Sequence, residues 1–190
     1  MFNIKLTGKV SSTIKDIGFG YAFIVDSMRN KNRVDRVLVN TVALDKPNLN
    51  VGDYVSVEGA IRTRKLGGTT KTFVLGTVTR VSEDEALVYN QAVGYKTSIN
   101  VVKSNNAIII ADVRKPCPPE RNYTGIVLTS YYINGMRDNV YGRVYTKLAD
   151  IALSLGKNDV ITIEGRFNCM VNEETGTTSA HIMIYYISKH

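Results

Sequence analysis

Apolar and polar residues alternate with period two along much of this chain. Val55, Val57 and Ile61 alternate with Tyr54, Ser56, Glu58 and Ala60, the pattern of a strand buried on one face. Short β-prone runs recur at Phe73-Val74-Leu75, Ala107-Ile108-Ile109-Ile110, Gly125-Ile126-Val127-Leu128, Val160-Ile161-Thr162-Ile163 and Ile182-Met183-Ile184, separated by Gly and Asn/Asp clusters. The pattern predicts strands near 3–10, 20–26, 34–40, 53–63 and 71–81. It predicts a second set near 105–113, 123–132, 139–146, 159–168 and 179–188. Helical spacing is clear only at Leu148, Ile151, Ala152 and Leu155, within Thr146–Leu155. A weaker helical stretch runs from Thr41 to Leu49, where Pro47 must shorten or end it.

The two sets are related by an internal repeat. Asp53-Tyr54-Val55-Ser56-Val57-Glu58-Gly59 matches Asp159-Val160-Ile161-Thr162-Ile163-Glu164-Gly165. Leu49 and Leu155 each stand four residues before the Asp, and Gly68-Thr69-Thr70 matches Gly176-Thr177-Thr178. Each copy reads as three strands, a short helix and a hairpin with a long tip, an order that fits a five-stranded barrel. An all-β protein with two such domains is expected, residues 1–85 and 105–190. Residues 86–104 read as a linker, an extra hairpin or a strand used in association.

Composition narrows the classes. The net charge is +7 over 190 residues. It is spread as 13 Lys/Arg against 9 Asp/Glu in residues 1–88 and 11 against 8 in residues 89–190. Both halves are mildly basic, which favours a polyanionic partner without a separate basic tail. No apolar run reaches the length of a membrane span. The start, Met1 to Thr7, lacks an apolar signal core, so a cytoplasmic protein with no membrane partner is expected. Cys117 and Cys169 read as two reduced thiols.

The residues Asn3-Ile4-Lys5-Leu6-Thr7-Gly8-Lys9-Val10, Val51-Gly52-Asp53 through Arg62-Thr63-Arg64, and Thr146-Lys147-Leu148-Ala149-Asp150 resemble three segments of one family. It is that of bacterial single-stranded DNA-binding proteins and the related primosomal replication protein N. These segments are similar to its opening strand, its fourth strand and its helix start. The resemblance implies a tandem pair of OB-fold barrels, each with a short helix between strands 3 and 4. It implies that single-stranded DNA is held across the sheet face and hairpin arms. Family members commonly assemble four barrels, so two per chain implies a homodimer, with replication proteins as further partners. Three features depart from the family. There is no acidic tail, which makes primosomal protein N the closer model; there is no Trp; and Leu66 stands where an aromatic is frequent.

Binding single strands without reading sequence requires cations along the phosphates and rings beneath the bases. In copy one, Arg62 and Arg64 share a strand face, Lys65 follows in the hairpin and Lys71 opens the return strand. Tyr54 falls on the Arg62/Arg64 face, and Tyr21 lies beside Gly18 and Gly20. In copy two, Tyr141, Arg143 and Tyr145 share one face of the third strand, a stacking platform in pattern. Tyr131 and Tyr132 point to opposite faces, so at most one faces DNA. Arg166 opens a poorer basic arm, followed by Asn168, Asn172, Glu173 and Glu174. The bland alternative is a solvated hairpin whose charges only block edge pairing.

Catalysis finds no constellation. His181 and His190 are the only histidines, Cys117-Pro118-Pro119 is a lone thiol in a turn, and no Cys/His spacing suggests zinc. Neither a metal nor a cofactor is expected. Glu58 and Glu164, each before a glycine at a strand bend, read as structural. A protein–protein adaptor on the same barrels, or an RNA-binding barrel pair, is the alternative reading.

Overall fold

The computed structural model describes residues 1–43, 45–111, 123–172, 174–175 and 177–190. Cys117, Pro118, Pro119, Glu173 and Gly176, to which the sequence drew attention, lie outside the described residues. The chain divides into two compact units. The N-terminal unit holds Ile4–Asn100 and Cys169–Ser179; the C-terminal unit holds Met1–Asn3, Val101–Asn168 and Ala180–His190.

In the N-terminal unit the strands are β1 (Asn3–Val10), β2 (Lys15–Asp16), β3 (Tyr21–Asn30), β4 (Arg33–Thr41), β5 (Tyr54–Leu66) and β6 (Thr69–Arg80). They are followed by α1 (Glu83–Ala86), β7 (Leu87–Asn90) and β8 (Tyr95–Ser98). Strands pair in the order β1–β5–β6–β4–β3, and β3 returns to β1 through Lys9↔Asp26 and Val10↔Val25. The ring is therefore closed and offers no barrel edge to aggregation. β4 pairs with β6 in parallel, at Val39↔Val74. Leu6, Phe23, Val25, Val37, Val39, Val55, Val57, Ile61 and Val74 fill it and are fully buried. Each contributes roughly 1.5–3 kcal/mol by leaving water.

The C-terminal unit is built from β9 (Asn100–Ala111), β10 (Tyr123–Tyr131), β11 (Arg137–Tyr145), α2 (Thr146–Ser154), β12 (Val160–Val171) and β13 (Thr178–Lys189), except that Cys169–Ser179, the hairpin end of β12 and β13, belongs to the N-terminal unit. The pairing order is β9–β10–β11–β13–β12, closed by β12 on β9. β11 pairs with β13 in parallel. The order of strand pairing is the same in both units, counting β1, β3, β4, β5, β6 as equivalents of β9, β10, β11, β12, β13. Val102, Ile109, Ile126, Leu128, Val144, Ile161, Ile163, Phe167 and Ile182 form the core. Ala152 of α2, and Leu155 just after it, are also buried.

The repeated motif is a structural device. Asp53 and Asp159 each accept from a backbone N–H three residues earlier, Asn50 at 2.9 Å and Gly156 at 2.7 Å. Each also pairs with a cation ending the last strand, Arg80 at 2.7 Å and Lys189 at 2.9 Å. Glu58 and Glu164 pair with Lys5 and Lys103 on the first strand, at 3.1 and 3.3 Å. A Cβ on Gly59 would stand 2.2 Å from the Leu75 carbonyl oxygen, and one on Gly165 would stand 2.6 Å from that of Met183. Glycine is required where the long arm coils over its neighbour.

Two expectations are corrected. No helix lies between β4 and β5 among the described residues: β4 continues to Thr41 and the connection is irregular. Pro47 removes a donor there, and the Leu49 N–H turns back to the Pro47 carbonyl at 2.8 Å. The expected start at 105 is five residues late, since β9 begins at Asn100. Residues 87–98 form the β7–β8 hairpin, one of the three options left open. The Ser82-Glu83-Asp84-Glu85 run closes a capping box on α1.

Candidate nucleic-acid interface

The β5–β6 register aligns Arg62 with Phe73 and Arg64 with Lys71. Directly paired residues point to the same side, so these four share the outer face of the N-terminal unit. Leu38 and Asn40 of β4 and Ala22 of β3 join them, because Ala22 pairs with Asn40 and Asn40 with Leu75. The turn after β2 adds Phe19, which is 59% exposed between Gly18 and Gly20. Ile17, Phe19, Ala22, Leu38, Asn40, Arg64, Lys71 and Phe73 line a recess of about 300 Å³. A neighbouring recess of about 370 Å³ also contains Lys71 and adds Lys15, Ser12 and Thr13. The side-chain oxygen of Asn40 is buried and has no hydrogen-bond partner among the described residues.

The electrostatics of this face follow from what is missing. Among the described residues, Lys15, Arg64, Lys65 and Lys71 have no carboxylate within ion-pair distance. Their fields are unopposed locally and are available to an anionic chain. Lys65, at the hairpin end of β5, is exposed.

Tyr54 and Tyr21 are not part of this group. Tyr54 lies eight residues before Arg62 on one strand, roughly 26 Å away at about 3.3 Å per residue. Its hydroxyl donates to Glu83 Oε1 at 2.8 Å, and Lys9 Nζ lies 5.6 Å from its ring centroid. That hydrogen bond, then burial, then the Glu83 charge push the phenol above its ordinary range. Tyr21 has the parity of Phe23 and Val25, opposite to Ala22, and lines a separate recess with Phe19 and Val42.

In the C-terminal unit the register joins Tyr123 to Tyr145, Gly125 to Arg143 and Val127 to Tyr141. The Arg143 guanidinium carbon lies 4.8 Å from the Tyr123 ring centroid and 5.9 Å from that of Tyr141. Tyr123 and Tyr145 lie 5.7 Å apart, tilted by 51°. Each cation–ring contact contributes about 0.5–1 kcal/mol, more where water is excluded. Gly125 makes room: a Cβ there would fall 1.9 Å from the Tyr141 hydroxyl. The predicted trio Tyr141, Arg143 and Tyr145 is thus one cluster, completed by Tyr123.

Arg166 of the same unit lies near Tyr185, on whose phenol its charge acts. Tyr185 donates to Glu164 Oε1 at 3.3 Å. Burial first, then the Glu164 carboxylate, raise the Tyr185 phenol, while the positive charge of Arg166 opposes them. Tyr131 is exposed, while Tyr132 is half-buried and points its hydroxyl at Met136 Sδ, 3.8 Å away. His181 lies 3.0 Å from the Asn168 amide nitrogen. Among the described residues, no group of three His, Cys, Asp or Glu side chains could hold a metal. Among the described residues, no helix is long and apolar enough to cross a membrane.

Phe19, Phe73 and Tyr123 were not singled out from sequence. Phe73 was within reach, since it follows Lys71 by two on one strand. Phe19 and Tyr123 depend on a turn and a register that sequence does not print.

No protein-family model matches the chain, and no curated protein is significantly similar to it. Solved structures are similar. The wild-type single-stranded DNA binding protein from Thermus aquaticus superposes with a TM-score of 0.69 at 12% identity, covering 100% of this chain and 93% of that one. A deletion mutant of the same protein gives 0.68 at 14% identity, covering 100% and 94%. At such identity the likeness establishes the fold, an OB-type β-barrel architecture.

Proposed function

We propose that this chain binds single-stranded DNA in a sequence-tolerant way, as a non-catalytic protein of replication, repair or recombination. The observation that carries this reading is the recess where Arg64 and Lys71, lacking carboxylate partners among the described residues, flank Phe19 and Phe73. Cations neutralise phosphates, and any base can stack on a ring. The fold shared with proteins named for single-stranded DNA binding supports it. In this reading the two units are tandem OB-fold domains, and the chain pairs as a homodimer. The exposed Val88, Tyr89 and Val93 of the β7–β8 hairpin support association.

Titrating oligo(dT) at low salt tests the reading. Binding at micromolar concentration or tighter, with quenching of tyrosine fluorescence and strong salt dependence, is expected. No binding at low salt rejects it. Competition by RNA of equal length decides between DNA and RNA, and the mass of the complex gives the number of chains.

A further inference from the structure

Arg143 is held in an unusual way. Its Nε is buried and has no hydrogen-bond partner among the described residues. Among them it also has no carboxylate within ion-pair distance. A guanidinium has five donors and ordinarily meets acceptors when buried. Here it meets rings instead, Tyr123 at 4.8 Å and Tyr141 at 5.9 Å. The cluster is built before any ligand arrives, because Gly125 leaves the space that Tyr141 fills.

We propose that this cluster gives the protein a preference for guanine, with Arg143 as the specificity-determining residue; this rests on the single-strand-binding reading above. The ring faces carry negative charge, which neutralises part of the guanidinium field and repels an anion approaching along the same surface. A phosphate oxygen is therefore a poorer occupant than a neutral base edge. The edge that suits a guanidinium fork has two adjacent acceptors, as guanine offers with O6 and N7. Thymine offers O4 beside a methyl group, and adenine pairs its N7 with a donor. Cytosine also has neighbouring acceptors on its pairing edge, but a purine has more surface to stack on the Tyr123–Tyr145 pair, 5.7 Å between centroids. The sheet then binds any strand and holds guanine longest.

The test compares thymidine oligonucleotides of roughly 30 nucleotides, plain or carrying isolated guanines, isolated 7-deazaguanines or isolated cytosines. Wild-type protein is expected to bind the guanine-bearing strand about five- to tenfold tighter than plain oligo(dT), the lower part of what one bidentate contact supplies. Replacing N7 by carbon should remove the preference. Arg143→Lys, which keeps the charge and loses the fork, should bring the guanine-to-thymine ratio to about one, with thermal melting confirming the fold. Equal binding of all strands by the wild type overturns the inference while leaving single-strand binding intact, and so does a preference for cytosine. A flat base profile with a shallower salt slope in Arg143→Gln would assign Arg143 to a phosphate instead. Failure to bind any strand overturns the underlying reading as well.

Discussion

Removing Arg64 and Lys71 together should change the salt dependence of binding more than anything else. Both line the recess with Phe19 and Phe73, and neither has a carboxylate partner among the described residues. For single strands, each neutralised phosphate contributes a slope of about −0.7 in log K against log salt. With Lys15 and Lys65, four such cations line or adjoin this face, giving a slope of roughly −2.8 from it. Arg64→Ser with Lys71→Ser should therefore make the slope shallower by about 1.4. Between about 50 and 200 mM salt, the wild type should lose about sevenfold more affinity than the variant does. Oligo(dT) titrations at a series of NaCl concentrations measure this directly, with thermal melts confirming that the barrel is intact. A variant with the wild-type slope would refute the placement of the phosphate track on this face, whatever its affinity at one salt concentration.

Phe73→Ala should weaken oligo(dT) binding by about 1–3 kcal/mol while leaving the salt slope unchanged; a parallel change in slope would mean the cations had moved. Asp35 is fully buried and accepts from Arg29 Nε at 3.1 Å, from Arg29 Nη2, and from the Cys169 N–H at 3.2 Å. Asp35→Ala leaves a half-buried cation and an orphaned N–H, and urea denaturation should show a loss of about 3–5 kcal/mol. Burial first, then the Asp35 carboxylate, push the Cys169 thiol from 9.0 to about 12, against a hydrogen bond from the Leu38 backbone. Above pH 9 the unfolded thiol ionises and the folded one does not, so the native state binds more protons and stability falls as pH rises. The melting-temperature advantage of wild type over Cys169→Ala should thus be full below pH 9 and shrink above it; a constant difference contradicts the burial argument.

Sequence revealed the β architecture where burial is strictly periodic. In β4, Asp35, Val37, Val39 and Thr41 are buried while Arg36, Leu38 and Asn40 are not. It also revealed α2, where Leu148, Ala152 and Leu155 recur at helical spacing. It misled at Thr41–Leu49, because β-branched Thr41 continues β4 as a paired residue opposite Tyr21, and local helical spacing loses to tertiary pairing. Tyr54 shows a different limit. Parity correctly assigns a face, but a 13-residue strand carries that face far from where it began.

The repeat and the two candidate surfaces obey different physics. Asp53 and Asp159, Glu58 and Glu164, and Gly59 and Gly165 recur because each fixes backbone, and the order of strand pairing is common to both units. The outer faces are free of that constraint. Where β4 presents Leu38 and Asn40, β11 presents Tyr141 and Arg143. One face therefore gathers cations around Phe19 and Phe73, and the other gathers tyrosines around a single Arg. Salt should act mainly on the first and base identity on the second. If the proposed reading holds, the unlike faces of the two units divide the work between phosphate and base, and separate responses of salt slope and base preference to Arg64/Lys71 and Arg143 substitutions are what distinguish this from two equivalent faces.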